Sequence, residues 1–340
     1  MPQDQHTQSR MALVEMPNQL QLGAAEVQRQ NMCQTLLRLP APRMDATQRE
    51  GTGILVFEAV EKHSDQEGGV APYLWSEATR CFCSYPLKFF LPRDAGRPHC
   101  RWVYPVIFGG GLVSGDVMTF DVMLHPRTCV LFTSQSYTKV YMSKPNQMSR
   151  QTWNFSVAKD AFLCVLPDVL VCFKEASYSQ TQVVRMEKGS NLVLLDWFLA
   201  GRIANGERWD FTRLETIVEV YHDSQLILRE AQNMHNTPFL SVKESMGRFN
   251  VLGVCILIGP LISELTQSLC KKLSTRESYG ITPESETIFT VSPLECQRQK
   301  IDGCIIRFAS TSSAHAYSRL EEVLQALYPV LGGNPFKYKY

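Results

Sequence analysis

Between residues 51 and 235 the apolar residues arrive in short β-branched and aromatic runs, and their density constrains the fold more than any single motif. "GILVFEAV", "DVMTFDVML", "TCVLFTSQSYTKVYM", "QTWNFSV", "AFLCVLP", "YSQTQVVRME", "NLVLLDWFLA" and "RLETIVEVYHDSQLILREA" succeed one another closely. Turn-forming residues separate several of them, at "HPRT" (125–128), "EKGS" (187–190) and "HDSQ" (222–225). In 116–124, Met118, Phe120, Val122 and Leu124 share one face, the period of two that a half-buried strand requires. Spacing of this density implies an antiparallel or coiled β architecture, not alternating strand–helix units. His125 and His222 then fall in hairpin turns. No convincing internal repeat accompanies the pattern.

Two late segments change the period. In "GPLISELTQSLCKKLS", Leu261, Ile262, Leu265, Leu269 and Leu273 recur at helical spacing. In "SSAHAYSRLEEVLQALYPVLGG", Leu320, Val323, Leu324, Leu327 and Leu331 do the same, with Ser312 or Ser313 as N-cap and Gly332 near the stop. A strand, "DGCIIRFAS", lies between them. The expectation is a mainly β body with about two packed α-helices toward the C-terminus. Residues 1–50 are polar and glutamine-rich, and read as a mobile extension with a short helix at "AAEVQRQNMCQTLLRL"; residues 51–340 read as a single β-rich domain. "EKHSDQEGGVAP" (61–72) reads as a surface loop between two strands.

Composition removes several function classes. A formal net charge of +1 gives no broad field for nucleic acid or an anionic membrane. The longest apolar run, "VLGVCILIGPLI" (251–262), falls short of the roughly 20 residues of a membrane helix. Eleven cysteines, an odd number at scattered positions with no signal sequence before them, favour reduced thiols in the cytoplasm.

The glycine stretch "FGGGLVSGD" (108–116) raises nucleotide binding. A dinucleotide fingerprint needs G-x-G-x-x-G opening a helix, whose N-terminus holds the phosphates. Counted from Gly109, the third required position is Ser114, and no Gly-Lys-Ser/Thr stands downstream of it. The next residues, "DVMTFDVML", have a strand pattern. Gly109, Gly110, Gly111 and Gly115 are better explained by a tight turn or a close backbone approach, with Asp116 as a turn-former.

Other chemistry is sparse. "CFC" (81–83) and the His99–Cys100 pair complete no tetrahedral zinc set, and no G-x-S-x-G accompanies the seven histidines. The informative cluster is "LVLLDWFLAGRIANGERWDF" (192–211). Asp196 interrupts a run apolar enough to be buried on both faces, and a buried carboxylate is costly unless paired. Arg202 and Arg208 are candidate partners, with Glu207 alongside. The cluster is either a structural Asp–Arg pair or a polar lining for water or a cation. Asp168 and Glu175 offer further oxygen donors of the kind hard cations prefer.

"YPLKFFLP" (85–92), "FGGGLVSGD" (108–116), "LFTSQSYTKVY" (131–141), "LPDVLVCFKEASYSQ" (166–180) and "DWFLAGRIANGERWDF" (196–211) occur in this order. Together they resemble the urease accessory protein UreD family, called UreH in some bacteria. The family motifs fall on Gly109–Asp116; on Ser134 (usually Thr in the family), Gln135, Thr138, Lys139, Val140 and Tyr141; and on Gly201, Arg202, Gly206 and Glu207. Residues 1–50 extend beyond the matched region, and "GGNPFKYKY" lacks the Pro-Arg-apolar-Trp ending common in bacterial members.

The resemblance implies a partly β-helical body and a non-enzymatic role. Family members bind urease apoprotein, UreF and the nickel-delivering GTPase UreG, and form a scaffold with a water-filled passage for nickel. On that reading Asp116, Asp168, Glu175, Asp196 and Glu207 are expected to touch nickel transiently, with no tightly bound cofactor, in a cytoplasmic hetero-oligomer. Two rival classes remain: a nucleotide-dependent enzyme or hydrolase built on the glycine loop, and an interaction scaffold without metal handling.

Overall fold

The computed structural model describes residues 49–62, 73–92, 99–273, 285–295 and 301–337. The extension read over 1–50, except its last two residues, and most of the 61–72 loop lie outside the described residues.

Two sheets face each other. The seven-stranded sheet runs β14 (Gln225–Met234), β13 (Arg213–His222), β11 (Ser177–Met186), β8 (Ser149–Val157), β5 (Val117–Leu124), β1 (Glu50–Lys62), β2 (Tyr73–Cys83). The ten-stranded sheet runs β16 (Thr287–Pro293), β17 (Gly303–Ser310), β15 (Val251–Ile258), β12 (Asn191–Leu199), β9 (Phe162–Val165), β6 (Cys129–Phe132), β4 (Cys100–Ile107), β3 (Leu87–Phe90). Its remaining strands, β7 (Thr138–Val140) and β10 (Leu170–Cys172), form a short third face, where β10 pairs with β7 and with the end of β12. The chain crosses from sheet to sheet as it advances, so β5, β8, β11 and β13 pair in parallel on one side and β4, β6, β9 and β12 on the other. Antiparallel pairs close both ends of the stack.

This is a coiled, solenoid-like body, and it changes the meaning of the turns. "HPRT" and "EKGS" join strands of different sheets; they are corners, and His125 sits at a corner rather than in a hairpin. Of the three turns, only "HDSQ" closes an antiparallel hairpin, between β13 and β14. Each corner into the ten-stranded sheet bonds its fourth N–H to its first carbonyl, at Thr128, Ala161 and Ser190. The third residue of each, Arg127, Asp160 and Gly189, has positive φ. The corners into the seven-stranded sheet repeat the device at Gly115, Asn146 and Glu175. A left-handed residue at that point reverses the chain within one turn.

The glycine stretch is the first of these second corners. Leu112 bridges in parallel to Val140, donating its N–H to Lys139 O at 2.8 Å, and Val140 pairs in turn with Cys172. Gly111 lies so close that a Cβ there would strike Lys139 O. Strand β5 comes next, not a helix, so the stretch lacks the dipole of a phosphate loop. The run "TCVLFTSQSYTKVYM" is not one strand: it leaves the sheet at Thr133–Tyr137, between β6 and β7.

One core fills the space between the sheets, with Phe120 stacked on Trp153 at 3.6 Å between ring centroids. A second lies on the outer face of the ten-stranded sheet, beneath helices α2 (Ser263–Leu273) and α3 (Ser313–Leu324); a shorter helix, α1 (Val242–Met246), precedes them, and α4 (Tyr328–Leu331) comes after. Ser312 caps α3 by accepting from His315 N–H, and Leu320, Val323, Leu324, Leu327 and Leu331 are buried as their spacing predicts. Leu261 departs from its pattern: it lies in the 3₁₀ turn ahead of α2 and is exposed.

The crowding at Gly111 and the backbone sign at Gly115 can be separated. Gly111→Ala should lower the unfolding free energy by about 1–3 kcal/mol, because Lys139 O belongs to the backbone ladder and cannot retreat. Gly115→Asn should cost less than about 1 kcal/mol, since the equivalent corner already carries Asn146. Urea unfolding followed by circular dichroism measures both; equal costs would show that close approach is not what Gly111 provides.

Candidate functional site

The parallel stacking aligns polar residues as it aligns apolar ones. Met118, Gln151, Gln180, Thr216 and Gln232 form one continuous rung across β5, β8, β11, β13 and β14. This rung faces inward, opposite Asp196 of β12. Asp196 Oδ1 accepts from Gln180 Nε2 at 2.9 Å. The Tyr178 hydroxyl lies 2.8 Å from Gln180 Oε1 and 2.6 Å from Gln151 Oε1. The one phenolic proton thus has two amide oxygens within reach, and the Gln151 oxygen is the nearer. A buried chain Gln151–Tyr178–Gln180–Asp196 results.

The chain borders a cavity of about 310 Å³ between the sheets, lined also by Phe120, Trp153, Trp197, Gln182 and Asp168. That is room for on the order of ten waters. Its walls are aromatic, its floor is amide and carboxyl oxygen, and its mouth lies at exposed Gly110, Gln135 and Ser136. Asp196 is 5% exposed, and its Oδ2 has no hydrogen-bond partner among the described residues. Burial pushes its carboxyl up to about 7, against the opposing pull of Gln180 and the nearby Thr216 hydroxyl. Gln232 Oε1, two strands along the same rung from Gln180, is likewise buried without a donor among the described residues.

The five carboxylates named from the sequence separate into different environments. Asp168 and Asp196 line the same cavity. Asp168 is buried and accepts the Tyr317 hydroxyl at 2.7 Å; burial first, and then this carboxyl, push the Tyr317 phenol upward. Asp116 is fully buried in a bidentate ion pair with Arg49 and also accepts Val113 N–H, so its oxygens hold the glycine corner shut. Glu175 is exposed and is the left-handed residue of its corner. Glu207 pairs with Arg202, whose guanidinium lowers the Glu207 carboxyl and sits 4.2 Å over the Phe173 ring.

The Asp–Arg pairing expected at Asp196 is therefore corrected. Arg202 is taken by Glu207, and Arg208 binds Asn250 and the carbonyls of Gly247 and Phe249. The reason is directional: Asp196 points inward from β12, while Arg202 and Arg208 lie beyond its end, where the chain has left the sheet. Gly201 and Gly206, both with positive φ, shape that excursion. Tyr141 packs edge-on against Phe173 at 5.3 Å and reaches Gly109 O, so the motif residues around Lys139 brace the glycine corner. Sequence reasoning missed Gln151, Tyr178, Gln180 and Gln182. The signal was present in "YSQTQ", where a tyrosine and two glutamines recur at the strand period of two.

Burial of Asp196 has a signed consequence for stability. Its folded value of about 7 stands above the ordinary 3.8, so the folded chain keeps a proton that the unfolded chain has released. This contribution is fully present below about pH 3.8, declines as pH rises and is lost above about 7. Asp196→Asn preserves the shape and the acceptor for Gln180. Unfolding free energies measured from pH 5 to 8 should show the variant gaining on the wild type by a few kcal/mol as pH rises. A pH-independent difference would show that the carboxyl is ionised in the folded chain throughout.

Residues 72–339 match the family described as UreD urease accessory protein. A protein of Arabidopsis thaliana named urease accessory protein D is 32% identical over 279 residues, covering 77% of this chain and 95% of the plant chain. A rice protein of the same name, from Oryza sativa subsp. indica, is 31% identical over 278 residues, 77% of this chain and 91% of its own. A urease accessory protein UreD of Sorangium cellulosum is 30% identical over 292 residues, 86% of this chain and 85% of its own. With a family match across most of its length and relatives of this similarity, the chain belongs to the UreD family of urease accessory proteins.

Proposed function

We infer that the chain serves urease maturation as a non-catalytic scaffold and that its interior cavity is part of a path along which nickel, as cargo, moves toward urease apoprotein. It acts in the cytoplasm within a hetero-oligomer containing UreF and the GTPase UreG. The observation that carries this reading is the cavity itself. In a chain of a urease accessory family, a space wide enough for several waters lies between the sheets with two buried carboxyls, Asp168 and Asp196, on its wall.

The donor chemistry supports transit over storage. Among the described residues no three His, Cys, Asp or Glu side chains come together as a metal-holding group. A cation in the cavity meets carboxyl, amide and hydroxyl oxygens singly and keeps most of its own waters. Such ligands suit a hard or borderline cation that must leave again, whereas thiolate or imidazole cages would retain it. Cys172 and Cys255 are poor candidates for contact: both are buried, and burial pushes both thiols upward, away from the thiolate that binds metal. The glycine corner supports no nucleotide chemistry, so on this reading the GTP of the system belongs to the partner.

Cells lacking the chain should fail to activate urease in nickel-containing medium, and tagged wild-type chain should co-purify with UreF and UreG. Asp196→Ala should lower activation by roughly tenfold or more while the complex still forms, and Glu175→Gln, at an exposed corner, should activate normally. Full activation without the chain would sink the reading. Full activation by Asp196→Ala in an intact complex would leave a scaffold that does not handle the metal through this cavity.

A further inference from the structure

A second cavity of about 510 Å³ lies behind the first, on the outer side of the third face, bordered by Phe173, Leu199, Arg202 and the start of α3. The wall between the two is a strand pair. β7 and β10 run in parallel, with Thr138 opposite Leu170 and Lys139 opposite Val171. Thr138 and Leu170 line the interior cavity, while Lys139 and Val171 line the outer one. Alternate residues of one strand point to opposite faces, so this division comes from the pleat. Paired backbone closes the wall along its length. At the end of β7, where the chain has left the sheet, Tyr137 is the one residue among those described that lines both cavities.

The tyrosines near this point are held differently. Tyr178 is fixed between two glutamines, and Tyr317 donates to Asp168. Tyr137 is half-buried against the outer core, and no hydrogen bond holds its hydroxyl among the described residues. It stands in the irregular segment Thr133–Tyr137 rather than in a strand. A ring seated mainly by packing, on a segment that leaves the β4–β6 ladder after the Thr133 N–H bond to Val103 O, can rotate aside without breaking a hydrogen bond of its own.

We propose that the Tyr137 ring is a gate between the interior and outer cavities, so that the open mouth at Gly110, Gln135 and Ser136 and the gated opening at Tyr137 make the two spaces one passage. The gate stands on the cavity geometry alone. Its cargo, a hydrated divalent cation, rests on the reading of function given above.

The test on the full chain separates gate from cargo. A bulky maleimide on Val106→Cys, a half-exposed residue lining the interior cavity, seals the mouth. A small methanethiosulfonate is then offered to an interior Gln182→Cys, and labelling is read by peptide mass spectrometry, which resolves the native cysteines. With Tyr137 or Tyr137→Phe in place, labelling should fall to baseline; Tyr137→Ala should restore it by about tenfold or more, and Tyr137→Trp should not. Labelling that persists with Tyr137 present, or that Tyr137→Ala fails to restore, overturns the gate. A separate arm measures urease activation with nickel in the assembled complex. Tyr137→Trp should slow it by about tenfold while Tyr137→Phe matches wild type. Normal activation by Tyr137→Trp, together with the expected labelling, would retain the gate and remove nickel as its cargo.

Discussion

The parallel backbone ladder, which sets each coil directly on the one before it, is the constraint on which the rest of the molecule depends. A ladder of this kind brings equivalent positions of successive coils within side-chain reach and repeats whatever faces inward. It also dictates the corners. Each coil must turn within four residues, and the turn that does so places its third residue at positive φ, at Arg127, Asp160 and Gly189 on one side and Gly115, Asn146 and Glu175 on the other. Non-glycine residues hold most of these positions at a local conformational cost that the ladder on either side offsets.

That periodicity explains why the sequence shows strands but not the coil. Stacking needs compatible shape and polarity, not identity. The inward rung that reads Met118, Gln151, Gln180, Thr216 and the one that reads Phe120, Trp153, Gln182, Val218 carry no repeat that comparison along the chain would detect. Strand positions, the two helices and the N-cap at Ser312 depend on local spacing and were therefore legible. Which turn is a hairpin and which is a corner depends on the partner strand, often one coil away, and was not. Glu175 shows the consequence. Its carboxylate suggested a cation ligand, but its backbone fills the position that Gly115 and Asn146 fill in the coils before it.

Asp196 was legible as an anomaly, though not its solution. A lone acid inside "LVLLDWFLA" demands a partner, and proximity in sequence proposed Arg202 or Arg208. The ladder supplied Gln180 instead, a neutral donor from the facing sheet. The difference matters energetically. A guanidinium would have favoured the charged carboxylate, as Arg202 does for Glu207. An amide donor in an aromatic enclosure leaves desolvation dominant, so the Asp196 carboxyl is pushed up to about 7.

A passage for an ion and a site for an ion need opposite properties, and on the proposed reading of function the two classes of carboxylate in this chain divide along that line. At a fixed association rate, each tenfold gain in affinity lengthens residence tenfold, so a conduit must hold its cargo weakly at every step. Asp116 and Glu207 already have their oxygens committed to guanidinium groups, and those pairs lock the glycine corner and the Gly201–Glu207 excursion in place. Among the described residues, the carboxylates that line the cavity are Asp168, whose Oδ1 is engaged by Tyr317, and Asp196, with one oxygen on Gln180 and one unpartnered. Charge is thus placed on the frame of the solenoid and withheld from its interior, where amides and hydroxyls take over. A cation there would find enough oxygen to replace part of its hydration shell and too little fixed charge to be kept.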